Sequence, residues 1–283
     1  MKMRKVNRSY GGDVPINLFL ILSGLFIALP LVYTISTSLK PLDELWMFPP
    51  RFFVTNPTLK NFSDLMRLMS GSWVPFSRYL FNTIFISVTG TLGNVIFSSL
   101  CAFALAKYKF PGKNFMFSMV VTALMFNTVV TAIPNFLIMS KIRFVNTYFA
   151  LIVPAFASPL GLYLMKQFME QMIPDSIIES ASIDGAKEGK IFWSIAMPMV
   201  RPAWLTLVIF SFQGLWAVGS NVYIQSERLK TFNYALSQIL AGGIARAGAG
   251  AAATVIMMIV PMAVFVFSQS SIVETMATSG MKD

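Results

Sequence analysis

Histidine is absent from this 283-residue chain, cysteine occurs once, as Cys101, and charged residues make up only 12% of it. The missing histidine removes the side chain that titrates nearest neutral pH and the commonest metal ligand. Ser-His and Cys-His catalytic sets are therefore excluded, and no metal site is expected. A single cysteine cannot form an internal disulfide, and Cys101 reads as a small packing residue within an apolar run. A phosphate-cradling G-x4-G-K-[ST] loop is also missing. Gly112-Lys113 and Gly189-Lys190 lack both the glycine five residues upstream and the following Ser or Thr. The chain therefore carries no nucleotide site of that kind. A soluble domain holds about a quarter charged residues, so this sequence has too few polar groups to cover a water-facing surface.

What is present is apolar: 55% hydrophobic residues and a mean hydropathy of +0.66. Six runs contain no Asp, Glu, Lys or Arg, at 14–39, 79–106, 114–140, 144–165, 202–226 and 247–273. A membrane-crossing helix needs about 20 apolar residues. Each run is long enough to cross once and too short to cross twice. The expectation is an all-α integral membrane protein of six transmembrane helices forming one domain, 1–283. The first run is read as a retained span, because its apolar part continues from Leu18 past Pro30 to Ile35 with no A-x-A-like cleavage site. The net charge of +10 does not point to nucleic acid. Its basic residues are scattered at the ends of apolar runs, where they anchor spans at the membrane edge.

Six spans put both termini on one side. Lys2, Arg4, Lys5 and Arg8 precede the first span, and Lys107, Lys109 and Lys113 separate the second from the third. The positive-inside rule places these short basic segments, and hence both termini, in the cytoplasm. The bias is shallow: of 22 Lys and Arg, twelve fall inside and ten outside, five of them in the long loop from Lys40 to Arg78. That loop holds Pro41, Pro49, Pro50 and Pro57 and cannot be one helix, although a helical piece around Leu59–Met69 is expected. Pro134 should kink the third span or end its last turn, and Pro154 and Pro159 should kink the fourth. The Gly/Ala-rich segment 241–254 reads as an external loop running into the sixth span, or as a loop that probes a partner.

Residues 174–202 form the longest charged stretch between spans, with Asp175, Glu179, Asp184, Lys187, Glu188, Lys190 and Arg201. Pro174 suits a first helical position, and Asp175 or Ser176 can satisfy free amides there. Ile177, Ile178, Ala181 and Ile183 make an apolar stripe. Asp184-Gly185 reads as a break, since glycine takes a positive φ freely. A second amphipathic piece, about Ala186 to Ala196, carries Ile191, Phe192 and Ile195 and is bounded by Pro198 and Pro202.

This stretch resembles the E-A-A-x3-G-x9-I-x-L-P motif of the membrane subunits of bacterial binding-protein-dependent ABC importers. Glu179, Ala181, Gly185, Ile195 and Pro198 match it; Ser180 stands for the second-position alanine and Met197 for the leucine. The resemblance extends over most of the chain and is to the maltose-permease-like, carbohydrate class. It is carried by Ser38-Leu39-Lys40-Pro41, Asn82-Thr83, Ala104 to Tyr108, Phe110 to Lys113, Ile183 to Ala186 and the closing Ser279 to Asp283. One departure is Ala217 after Trp216, where the family often has asparagine.

The resemblance implies a coupling helix between spans four and five, seated in a groove of a partner ATPase. The implied docking residues are Glu179, Ser180, Ala181, Ile183, Asp184, Gly185, Ala186 and Pro198. In this reading Glu179 makes a charge-assisted contact, Ile183 and Ala186 fill the groove, and Gly185 permits close backbone approach. It further implies a bacterial inner-membrane complex with a second permease, two ATP-binding subunits that hold ATP and Mg, and an extracytoplasmic solute-binding protein. This chain itself would hold no cofactor.

Candidate solute-path residues are the neutral polar and aromatic groups inside spans: Asn127 and Asn135 in the third, and Ser211, Gln213, Trp216, Ser220, Asn221 and Tyr223 in the fifth. Each has an alternative role as a helix–helix hydrogen bond or an interface aromatic. Aromatic faces with neutral amides suit a sugar. The alternative cargoes are amino acids or phosphonates. A membrane-embedded enzyme and a passive channel are disfavoured, the first by the lack of in-span acid–base pairs and the second by the docking motif.

Overall fold

A computed structural model describes residues 10–71, 74–126, 128–219 and 222–279. Lys2, Arg4, Lys5, Arg8 and 280–283 lie outside these residues, as do Asn127, Ser220 and Asn221. Among the described residues there is helix and no strand. In chain order the helices are α1 Tyr10–Leu39, α2 Leu42–Leu45, α3 Lys60–Ser70, α4 Phe76–Lys107, α5 Lys113–Leu124, α6 Thr128–Lys141, α7 Phe149–Phe156, α8 Pro159–Met172, α9 Asp175–Ile183, α10 Glu188–Met199, α11 Arg201–Trp216, α12 Phe232–Ala241 and α13 Ala247–Ser279.

Four helical stretches are long and apolar enough to cross a membrane: Val14–Leu39, Phe76–Lys107, Phe149–Met172 and Ala247–Gln269. Two bent pairs bring the number to as many as six. The α5–α6 pair is bent by 113° and the α10–α11 pair by 80°. The expected third span, 114–140, is thus two helices rather than one kinked helix. Its break follows Leu124, and Pro134 sits inside α6. The fourth run begins as turn and becomes helix at Phe149. It is interrupted at Ala157-Ser158, where the Ser158 hydroxyl caps the Gly161 amide at 3.1 Å and Pro159 starts α8. The fifth run ends its helix at Trp216, ten residues short of 226, because its remaining polar groups bond to neighbouring loops. In the sixth, the Gly/Ala-rich stretch is helical from Ala247, with Ala249, Ala252 and Ala253 buried.

The chain divides into two compact units: residues 1–68 with 239–256, and 69–238 with 257–283. In the first, the apolar window of α1 has none of its residues buried, as expected of a helix whose solvent is lipid. Its C-terminal end is pinned by polar contacts. Ser36 donates to Phe52 O at 2.8 Å, Asn61 donates to Ser38 O and Lys40 O at 2.8 and 2.7 Å, and the buried Lys40 ammonium donates to Arg51 O. Glu44 accepts from the Thr55 amide and hydroxyl at 2.8 and 2.9 Å. Pro41 lacks an N–H, so these contacts set the corner that leaves α1.

The second unit is built on α4, which packs against α7, α8 and α11. Lipid offers no hydrophobic drive for helix association, so close packing and interhelical hydrogen bonds carry it. Small residues supply the closeness. A Cβ on Gly93 would stand 1.9 Å from the Phe156 ring, and one on Gly90 2.5 Å from Leu215. Asn94 donates to Ser211 Oγ at 3.1 Å and accepts from Ser98 at 2.9 Å. Toward the α9–α10 end, Phe103, Met165, Met169, Ile191, Phe192 and Val200 form a buried cluster.

Candidate functional site

The segment after α8 folds as two short helices meeting at an exposed corner. Pro174, extended at φ −64° and ψ 139°, precedes α9. It is the cap residue rather than the first helical one. At the other end Gly185 has φ +80°. The Gly185 amide bonds Ser182 O at 3.1 Å and the Ala186 amide bonds Ala181 O at 3.0 Å. This pair of bonds around a left-handed residue is the Schellman stop, which satisfies the last carbonyls of a helix and turns the chain sharply. The glycine is required by backbone conformation; nothing lies within 4 Å of where its Cβ would be.

The two faces of α9 differ. Ile178, Ala181 and Ala186 lean on the buried cluster of their own chain. Glu179, Ser180, Asp184 and Gly185 are exposed, and Ile183 is 86% exposed. The hydroxyls of Ser180 and Ser182 bond back to Ser176 O and Ile178 O, each at 2.8 Å. The outer face therefore presents the carboxylates of Glu179 and Asp184 and the apolar side chains of Ile177 and Ile183. Ala186, expected in the outward set with Ile183, is turned to its own core.

The second piece starts and ends later than expected. α10 runs through Pro198 to Met199, and Phe192–Ala196 forms a wider π turn in which the Met197 amide reaches Phe192 O. Pro198 has no N–H to give, and this turn accommodates it. The break comes at Val200, where the Trp204 indole takes up the Met197 carbonyl at 3.1 Å. Pro198 is exposed, Ile195 is half-buried, and Ile191 and Phe192 are buried.

The corner is attached to the C-terminal end of α4. Lys107, its side chain 5% exposed, donates to Asp175 Oδ1 at 2.8 Å and to Ile173 O at 2.6 Å. That ammonium, first by its hydrogen bond and then by its charge, holds the Asp175 carboxyl below the usual carboxylate range; Lys109 and Lys113 add to the effect. The next residue, Tyr108, donates to Glu188 Oε2, and its ring meets Phe103 edge-on at 5.7 Å.

The N-terminal end of α4 carries a second polar set that sequence reasoning missed apart from Asn82-Thr83. Asn82 is fully buried. It donates to Arg228 O and Lys230 O at 2.9 and 2.8 Å and accepts from the Tyr148 hydroxyl at 2.7 Å. Thr83 accepts from the Phe232 amide, and Tyr79 donates to Glu227 at 2.6 Å. Asn146, in the left-handed region at φ 62°, caps the Gln225 and Ser226 amides and donates its own amide to Tyr223 O. Nothing in local spacing marks these partners, which lie up to 149 positions apart.

Of the expected solute-path residues, five lie among the described ones, and they differ in exposure and partners. Asn135 and Gln213 are exposed and Tyr223 is half-buried, its ring 6.1 Å from Phe136. Ser211 is bonded to Asn94. Trp216 is 3% exposed, and its indole donates to Met257 O at 2.9 Å. Residue 261, four positions after Met257, is proline. The helix cannot supply a donor to that carbonyl, and Trp216 supplies it instead.

The chain is similar to several known proteins. The arabinooligosaccharides transport system permease protein AraQ of Halalkalibacterium halodurans is 29% identical over 272 residues, 91% of this chain and 92% of that protein. The sn-glycerol-3-phosphate transport system permease protein UgpE of Yersinia enterocolitica is 28% identical over 216 residues, covering 74% and 76%. A solved structure of a bacterial ABC transporter involved in the import of the acidic polysaccharide alginate superposes with a TM-score of 0.78 over 94% of this chain and 99% of that one. At 20% identity, that likeness is one of fold. The family described as binding-protein-dependent transport system inner membrane component matches residues 94–277, from the middle of α4 through the corner into α13. With its apolar helices, its Gly185 corner and more than half its length so matched, the chain is a membrane protein that belongs to the binding-protein-dependent transport system inner membrane component family.

Proposed function

We propose that this chain is a permease subunit of an ATP-driven importer, that it spans the inner membrane six times with both termini cytoplasmic, and that it carries a sugar or oligosaccharide handed over by an external solute-binding protein. The observation that carries the reading is the α9–α10 corner. It is rigid on its inner face and closed by the Gly185 stop, and it offers Glu179 and Ile183 outward. A helix pair that packs its own alanines inward and leaves an isoleucine 86% exposed fits a receiving groove on an ATP-binding subunit. ATP and Mg belong on that partner, and a second permease completes the pathway. Asn135 and Gln213 then face the space between the two permeases, whereas Ser211 and Trp216 are committed to packing. The arabinooligosaccharide relative favours saccharide cargo. The glycerol-phosphate relative keeps a small phosphorylated polyol as the second candidate.

The test is affinity purification of the tagged chain from native membranes, followed by uptake in reconstituted vesicles. An ATPase, a second permease and ATP-dependent uptake of a labelled oligosaccharide are expected. Recovery of the chain without any ATPase overturns the docking role, and uptake of amino acids or phosphonates in place of saccharides overturns the cargo.

A further inference from the structure

Two consecutive residues at the end of α4 hold both helices of the corner. Lys107 grips the start of α9 through Asp175, its first residue, and through Ile173 O just before it. Tyr108 grips the start of α10 through Glu188, its first residue. Each contact is made at a helix origin, where a small displacement moves the whole element. α4 is also the hub on which α7, α8 and α11 pack, and at its far end Asn82 and Thr83 hold the 228–232 segment. A push on the corner therefore has a direct mechanical route through α4 to the other end of the unit.

We propose that Lys107 and Tyr108 form the transmission joint that couples movement of the corner to α4; this rests on the docking role proposed above. The Asp175 side chain is 78% exposed and that of Lys107 5% exposed, so the carboxylate end of the ion pair stands in water. Losing Lys107 leaves that carboxylate in water, not stranded in a core. The Tyr108 ring keeps its place against Phe103 without the hydroxyl. What the two residues provide is registration between elements.

The test uses the complete importer reconstituted in vesicles, with Lys107→Met, Tyr108→Phe and the double variant. ATPase subunits should copurify with each variant, ATP hydrolysis should stay within about twofold, and solute imported per ATP should fall about tenfold in the double variant, within the usual range of coupling between sites. Lys107→Glu should fail alike, and Lys107→Glu with Asp175→Lys should regain most of the lost uptake; in both, copurified ATPase and its hydrolysis should stay unchanged, which a purely structural role does not predict. Unchanged import per ATP in the double variant overturns the joint. So does loss of copurified ATPase in the variants alone, because the pair would then be holding the corner's fold. Absence of ATPase from the unaltered complex removes the docking role itself, and the joint with it.

Discussion

Single residues set the geometry wherever a backbone group has been left without a partner. Trp216 is the clearest case, because its role depends on Pro261, which lies 45 positions away in another helix. In Trp216→Phe the ring still stacks on Phe212, but Met257 O loses its indole donor. The hydrogen bond's share of the cost should be about 0.6 kcal/mol and no more than about 1.7 kcal/mol, the average and the maximum measured for interhelical hydrogen bonds in a membrane protein. In a Pro261→Ala background the helix recovers its own donor, so the same substitution should cost much less. Thermal unfolding in detergent over the four-member cycle measures the difference, and strictly additive effects would sink the assignment. Gly185 is governed by conformation rather than space. Gly185→Val forces a β-branched residue into the left-handed region at about 1–2 kcal/mol. It should abolish ATP-driven uptake while the protein still inserts. Gly185→Asn tolerates that region and should keep most uptake in the same vesicle assay. If both variants fail alike, a partner's close approach, not the turn, is what demands glycine there.

At the scale of elements, charge-free runs located the helices but not their breaks. The run 114–140 carries no breaking signal at Met125, itself a good helix former, and Pro134, the visible breaker, is absorbed within α6. The run 202–226 misleads because lack of charge does not require helix. Its last residues are loop, held by Asn146, and that partner cannot be inferred from spacing. The Gly/Ala stretch before 254 looks like loop by composition, yet its alanines are small so that they can be buried. The corner was the most legible element, because the Schellman stop writes itself into sequence as a glycine after a short stripe, whereas its inward and outward faces depended on the packing of Ala181 and Ala186. Packing also yields a prediction for α4 and α7. Gly93→Ala places a methyl against the Phe156 ring and should destabilise the protein by about 1–3 kcal/mol, as overpacking does. Phe156→Leu in the same chain should recover part of that loss in a thermal-shift assay. No loss on Gly93→Ala would show that α4 and α7 are not in close contact.

For the whole molecule, sidedness is the property on which every functional reading depends, and the charge count of twelve against ten decides it weakly. α4 is the stronger guide. Its 32 residues extend about 48 Å at the α-helical rise, enough to separate two polar sets across a bilayer. The basic turn after Lys107 and the α9–α10 corner share its C-terminal end, while 146–148 and 223–231 share its N-terminal end. One orientation therefore satisfies both the positive-inside rule and access of a cytoplasmic ATPase to the corner. Cys101 is the chain's one cysteine, so a Cys101→Ala background is blank for thiol labelling. In that background Ser182→Cys and Gln225→Cys put a thiol at exposed positions of opposite ends. In intact cells a membrane-impermeant maleimide should label position 225 and leave 182 untouched until the membrane is opened. The reverse pattern would turn the corner outward, away from any source of ATP, and the importer reading would fall with it. Labelling of both in intact cells would mean that α4 does not span the membrane.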